Sequence, residues 1–194
     1  MTNRLYWFRF TLLAIFVVAL VFVSTYYLGG FGAAGDSTET ERFVVSKGMS
    51  NLDVVKKLKT DDFIISEWAF NFAFNWEKFG WQIKPGAYKI SKSMTAWQMA
   101  GVFTNEPYMK WVTIPEGLRK EEVAVILKNE LGWSDEKASN WIAKDTAASP
   151  DYTEGVYFPE TYLIPVEESG ADVAKRLRVK FEEKYSEFYT QALG

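Results

Sequence analysis

Histidine and cysteine are both absent from these 194 residues, and the two absences remove most familiar catalytic chemistries at once. Without imidazole or thiol there is no Ser-His-Asp triad, no thiolate nucleophile and no nitrogen- or sulfur-ligated zinc site. The missing cysteines also exclude structural disulfides and an anchor built on a lipid-modified cysteine. Neither sign of charge dominates. The chain has 22 basic and 25 acidic residues, interspersed, and no basic patch suited to nucleic acid. What survives is the chemistry of carboxylates.

One long apolar run is present. Phe10 to Leu28 is an uncharged stretch of 19 residues, and at about 1.5 Å rise per residue it spans the ~30 Å of a bilayer core. Arg4 and Arg9 precede it, within a tail of residues 1–9, whereas the first charges after it are Asp36, Glu39 and Glu41. The positive-inside bias therefore keeps the N-terminus cytoplasmic and exports the rest. Gly32-Ala33-Ala34 offers the small residues of a signal-peptidase site. The run is longer than the roughly 7–15 residues of a signal h-region, and Trp7, Tyr26 and Tyr27 suit interfacial anchoring, so an uncleaved anchor is expected. Residues 29–40, rich in Gly, Ala, Ser and Thr, read as a flexible tether.

Folding is expected to begin near Glu41. Phe43, Val44 and Val45 form a short apolar run, a strand ended by Lys47-Gly48. Ser50 can cap a helix carrying Leu52, Val55 and Leu58, with Val54 widening the stripe and Asp61-Asp62 ending it. Trp68 to Phe79 alternates as a strand would, yet Trp68, Phe72, Trp76 and Phe79 also follow helical spacing. A helix is favoured by Ser66 as N-cap, by Ala69 and Ala73, and by Gly80 as a stop. Core packing of its aromatics is expected over a sugar-stacking face, although the two are compatible. Pro85-Gly86 turns into a second strand, Ala87 to Ile90, that can pair with the first, and Ser93 or Thr95 starts another helix through Phe103. The order is strand, helix, helix, strand.

After Asn105-Glu106-Pro107, Tyr108 to Ile114 reads as a strand running into Pro115-Glu116-Gly117. A helix follows with Val123, Ile126, Leu127 and Leu131 as its stripe and Gly132 as its end, and Ser134 caps another through Trp141 and Ile142. Glu116 reads simply as an acid favoured by the N-terminal dipole of the helix after it. A small, polar loop, residues 144–151, leads to Glu154, and Tyr157 to Ile164 reads as a strand pair or a strand with a proline bend. The chain closes on an amphipathic helix with Ala174, Leu177, Phe181, Tyr185, Phe188 and Ala192 on one face. That face wants a partner, either the block around Glu154 or further protein. A glutamate beside Gly155 and flanked by Tyr157, Phe158 and Tyr162 is a candidate for desolvation, which raises a carboxyl pKa and makes a general acid. An ordinary exposed acid in a turn is the equal alternative.

Taken in order, these features resemble one family, the YceG-like endolytic murein transglycosylases, also called MltG. The resemblance rests on the N-in anchor, on Val44-Val45 and Gly48-Met49-Ser50 through Lys84-Pro85-Gly86-Ala87-Tyr88, on Val112 to Gly117, and on Glu154-Gly155 with Phe158-Pro159-Glu160-Thr161-Tyr162. It implies an α+β protein: a single transmembrane helix (10–28), a linker (29–40), a LysM-like β-α-α-β subdomain (41–104) and part of a mixed α/β catalytic domain (105–194). Family members are longer, so the resemblance implies a truncated portion of one. It makes Glu154 the catalytic acid and base, with Glu116, Gly155, Tyr157, Phe158, Glu160, Thr161 and Tyr162 shaping the substrate site. Glu160 stands where the family has Asp.

The implied activity is a lyase, cleaving the bond between N-acetylmuramic acid and N-acetylglucosamine in nascent peptidoglycan to leave 1,6-anhydro ends and end strand growth. Its implied partners are glycan strands, the membrane and cell-wall synthesis enzymes, with no nucleic acid, and no metal or cofactor is needed. Two other readings stay open from the residues: a peptidoglycan-binding or scaffold module without catalysis, and a glycoside hydrolase pairing Glu154 with Asp151 or Glu160 as second carboxylate.

Overall fold

Caps written into the sequence set most of the helices. The structure is a computed structural model that describes residues 2–146 and 156–193. It has α1 (Thr2–Phe31), β1 (Glu41–Val45), α2 (Asn51–Thr60), α3 (Glu67–Glu77), β2 (Gly86–Ile90) and α4 (Ala96–Phe103). Then come β3 (Met109–Thr113), α5 (Lys120–Leu131), α6 (Asp135–Asn140), β4 (Thr161–Pro165) and α7 (Gly170–Leu193). Ser50 and Asp53 close a reciprocal capping box on α2, Thr95 and Gln98 one on α4, and Ser66 and Ser134 accept from the first turns of α3 and α6. The Asp53 carboxylate is held below its usual pKa by the Ser50 side chain and then the Ser50 backbone N–H. Gly132 ends α5 in the left-handed conformation, φ 72°, as its position just past Leu131 predicts.

The architecture is mixed α+β, with one N-terminal apolar helix and a sheet of four strands in the order β1-β2-β3-β4. Both registered pairs are antiparallel: Ala87 faces Met109 between β2 and β3, and five pairs from Met109↔Pro165 to Thr113↔Thr161 join β3 to β4. The chain divides into two compact units. The first comprises Met1–Phe43, Met49–Lys84 and Lys89–Glu106, and the second Val44–Gly48, Pro85–Tyr88 and Pro107–Gly194.

In the first unit, α3 shows its other side to the core. Ala69, Phe70, Ala73 and Phe74 are buried, whereas Trp68, Phe72 and Trp76 are exposed, so the aromatic stripe expected to fill the interior faces outward. The rings at 70 and 74 take the interior instead: Phe70 meets Phe103 edge to face at 5.9 Å on α4, whose own buried face is Ala96, Met99, Ala100 and Phe103. The helix also stops at Glu77, three residues before Gly80. On α2 the buried trio is Val54, Val55 and Leu58, and Leu52 is exposed. Helix α1 continues past Leu28 to Phe31. Residues 32–40 are irregular but tied down, with Gly35 N donating to Lys92 O at 2.9 Å and Ser93 N donating to Ser37 O at 3.0 Å.

The second unit has its own core. Val112, Tyr162 and Ile164 from the sheet meet Val123, Leu127 and Leu131 of α5, Trp133 and Trp141, and Val173 and Leu177 of α7. Each large aliphatic or aromatic side chain buried here contributes about 1.5–3 kcal/mol. The helix expected from Ser134 through Ile142 is shorter. It ends at Asn140 and widens into a π-helical turn, Trp141–Asp145, that carries Trp141 into the core. The strand expected from Tyr157 is also shorter, because only Thr161–Pro165 pairs with β3. Gly86 begins β2 where no other residue fits. Its φ is +152°, and a Cβ there would lie 2.5 Å from Met109 O and 2.6 Å from Pro107.

Candidate functional site

Two sequence motifs far apart in the chain meet at one end of the β3–β4 pair. The register sets Thr113 opposite Thr161 and Val112 opposite Tyr162, and Ile114 N donates to Glu160 O at 2.9 Å. Antiparallel pairing therefore brings Val112 to Ile114 alongside Glu160 to Tyr162, so each motif fixes the backbone of the other. A polar relay crosses this end of the sheet. The Lys47 ammonium donates to Thr113 Oγ1 at 2.7 Å, and the Thr113 and Thr161 hydroxyls are 3.0 Å apart. Lys47 lies on no site predicted from sequence, since it reads there only as the end of a strand.

Tyr162 is the best-held member of the second motif. It is 7% exposed, and its phenol donates to Phe158 O at 2.6 Å, closing the turn that precedes β4. Burial, then the negative charges of Glu160 and Glu183, push its pKa above the ordinary phenol range. The phenol stays protonated and keeps donating. Upstream, Val156 is buried and the Tyr157 ring packs against Trp141 at 5.3 Å between centroids. Trp141 in turn lies 6.4 Å from Trp133, and the two indole N–H groups find no acceptor among the described residues.

Glu160 is exposed at the mouth of this turn. Its carboxylate pairs with the Lys180 ammonium of α7 at 3.7 Å, which also reaches Glu183 at 3.4 Å. The pairing spans twenty positions of sequence and no local pattern points to it. Glu116 is exposed as well, and it is not the dipole-favoured acid that the sequence suggests. Helix α5 begins only at Lys120, so Glu121 and Glu122 occupy its first turn, and the Glu122 carboxylate accepts from Arg119 N at 2.9 Å. Glu154 and Gly155 lie outside the described residues. Of the substrate-site candidates that are described, Tyr157, Phe158, Glu160, Thr161 and Tyr162 form one continuous turn and strand, and Glu116 lies beyond the end of β3, in the loop before α5.

Helix α7 supplies the wall beside that turn. Val173, Ala174 and Leu177 are buried in the core, and farther along Phe181 and Tyr185 stack at 5.9 Å. With Val156, Arg178 and Glu182 they line a concavity of about 340 Å³. The expected apolar stripe thus splits, its first turns packed in the core and its next turns facing a groove.

The model of the YceG-like family matches residues 43–193. The chain belongs to the YceG-like family. That match includes both motifs joined by β3 and β4, the Lys84 to Tyr88 segment and Glu154. Among solved structures, a YceG-like protein from Listeria monocytogenes resembles the chain at 17% identity with a TM-score of 0.38. The alignment covers 79% of this chain and 57% of that one, so the chain spans little more than half of the relative's length. The comparison with curated proteins gives no match.

Proposed function

We propose that this YceG-like chain is a membrane-anchored endolytic peptidoglycan transglycosylase with Glu154 as its acid and base. The observation that carries the reading is the family match over residues 43–193, which includes Glu154, a glutamate followed by a glycine and then by Tyr157 and Phe158. The α1 helix, long and apolar enough to cross a membrane, supports an anchored enzyme whose folded part is extracytoplasmic. The β-α-α-β block is read as a LysM-like holder of glycan strands.

In this mechanism protonated Glu154 donates to the oxygen linking N-acetylmuramic acid to N-acetylglucosamine, and the C1–O bond breaks with oxocarbenium character at C1. Glu154, now a carboxylate, accepts the proton of the muramic acid C6 hydroxyl as that oxygen bonds to C1. The product is a 1,6-anhydro end, and the proton count returns to its start. One carboxyl group suffices because the sugar supplies its own nucleophile. Tyr162 and Phe158 would hold the backbone beside the acid, and Glu160 and Thr161 would meet the substrate's polar groups.

The test is mass spectrometry of peptidoglycan digested by the purified chain in detergent. Anhydro ends are expected, and Glu154→Gln should remove them, a loss of at least the 10²–10⁴-fold assigned to general acid–base catalysis. Reducing ends would instead mean a hydrolase, and no new ends a binding module. Anhydro ends undiminished in Glu154→Gln would move the chemistry to another residue.

A further inference from the structure

The outer face of α3 is unusual for a surface in water. Trp68, Phe72, Trp76 and Phe79 are 52%, 43%, 74% and 93% exposed. The first three form a ladder on α3, with Trp68 stacked on Phe72 at 5.7 Å and Phe72 on Trp76 at 6.1 Å, and Phe79, just past the helix, joins them and Asn71 and Asn75 in lining an open concavity of about 430 Å³. A contiguous apolar face of this kind marks an interaction site.

The end of α1 lies directly on that face. The Phe31 ring meets Trp68 edge to face at 5.8 Å and Phe72 at 5.9 Å, and stacks on Trp97 at 5.7 Å. Gly30 comes close enough that a Cβ there would touch Ala69 and Ser66 at 3.7 Å. Phe31 is three residues past the end of the apolar run at Leu28, or about 4.5 Å along a helix axis. Each headgroup layer of a bilayer is roughly 5–7 Å thick, from a ~30 Å hydrocarbon core inside ~40–45 Å in all. With α1 spanning the bilayer, Phe31 and the rings that touch it therefore fall inside that layer, where tryptophan is favoured and apolar rings are half relieved of water.

We propose that the outer face of α3, with Trp97, is a lipid-docking surface that seats the first unit in the headgroup layer beside its own anchor. Aromatic rings interleaved with asparagine amides also suit a glycan platform. Contact with the last residue of the membrane helix favours lipid, since it fixes Trp68, Phe72 and Trp97 at the depth where the bilayer begins. The inference rests on the reading of α1 as a membrane span.

The chain has no native cysteine, so single spin labels test both statements in the whole protein in phosphatidylethanolamine–phosphatidylglycerol nanodiscs. Labels are placed by Tyr26→Cys in α1, Asn75→Cys between the exposed rings, and Lys56→Cys on the exposed side of α2. Collision rates with oxygen and with a water-soluble nickel chelate report depth. The expected result is a lipid-core signature at 26, a headgroup signature at 75 and a fully aqueous one at 56. Adding Trp76→Ser and Phe79→Ser should shift the label at 75 toward water. A label at 75 as aqueous as that at 56, with 26 in lipid, overturns the docking surface and leaves the span standing. An aqueous signature at 26 overturns the span and the docking surface with it. Immobilisation of an aqueous label at 75 by soluble N-acetylglucosamine oligomers makes the face a glycan platform and overturns the lipid assignment, as does a signal unmoved by the two serines.

Discussion

Two of the aromatic clusters among the described residues differ in exposure. Trp133, Trp141 and Tyr157 lie in or against the core of the second unit, whereas Trp68, Phe72, Trp76 and Phe79 stand on the outside of α3 in the first. Trp68, Phe72, Trp76 and Phe79 follow helical spacing in sequence, whereas Trp133, Trp141 and Tyr157 are scattered over separate segments, and ring spacing reveals that a face exists but not which way it points. What decides is which rings the core takes. Phe70 and Phe74 fill the inner side of α3 and leave Trp68, Phe72 and Trp76 outside, while the regular winding of α6 breaks at Trp141 and carries that ring in.

The sharpest way to break this contrast is Trp141→Ala. Truncating a fully buried ring should cost about 3–5 kcal/mol, read by circular dichroism in urea titrations of the detergent-solubilised chain. A cost below about 1 kcal/mol would place Trp141 outside the core.

Tyr162→Phe is a smaller probe of the same interior. It removes the bond to Phe158 O and should cost about 1 kcal/mol. The wild-type phenol also predicts a pH effect. Its pKa is raised in the fold, so the unfolded tyrosine ionises first, near pH 10. The stability it contributes is complete below that pH and falls as pH rises through it. Tyr162→Phe should flatten the decline, and an identical alkaline slope in both proteins would count against a buried phenol.

On the outer cluster, Trp76→Ala should change stability by no more than about 0.5 kcal/mol, as for other surface substitutions. A loss near that of Trp141→Ala would erase the distinction between the clusters.

Local rules made much of the fold legible. Ser50, Thr95 and Ser134 announce helix starts through side chains that bond to the next turn, and Gly132 announces an end through a backbone angle that glycine adopts freely. The candidate site was half legible. Phe158 to Tyr162 is a continuous string that runs into a strand, as expected for Tyr157 to Ile164, although the turn before it takes up four residues read as strand. Lys180 on Glu160 and Lys47 on Thr113 are contacts between distant segments, and no periodicity encodes them. Glu116 misled because the proline-glycine turn looks like a helix start, while the chain takes three more residues to reach one.

The two backbone bonds that hold residues 32–40 have a mechanical consequence. A free stretch of nine such residues would give its cargo a leash of roughly 15–18 Å. Fastened at Gly35 and Ser37, it becomes a short mooring instead, and the rest of the first unit is held near the end of α1 rather than sweeping through a range. Lengthening the stretch after Ser37 would therefore add no reach until the fastenings themselves were cut.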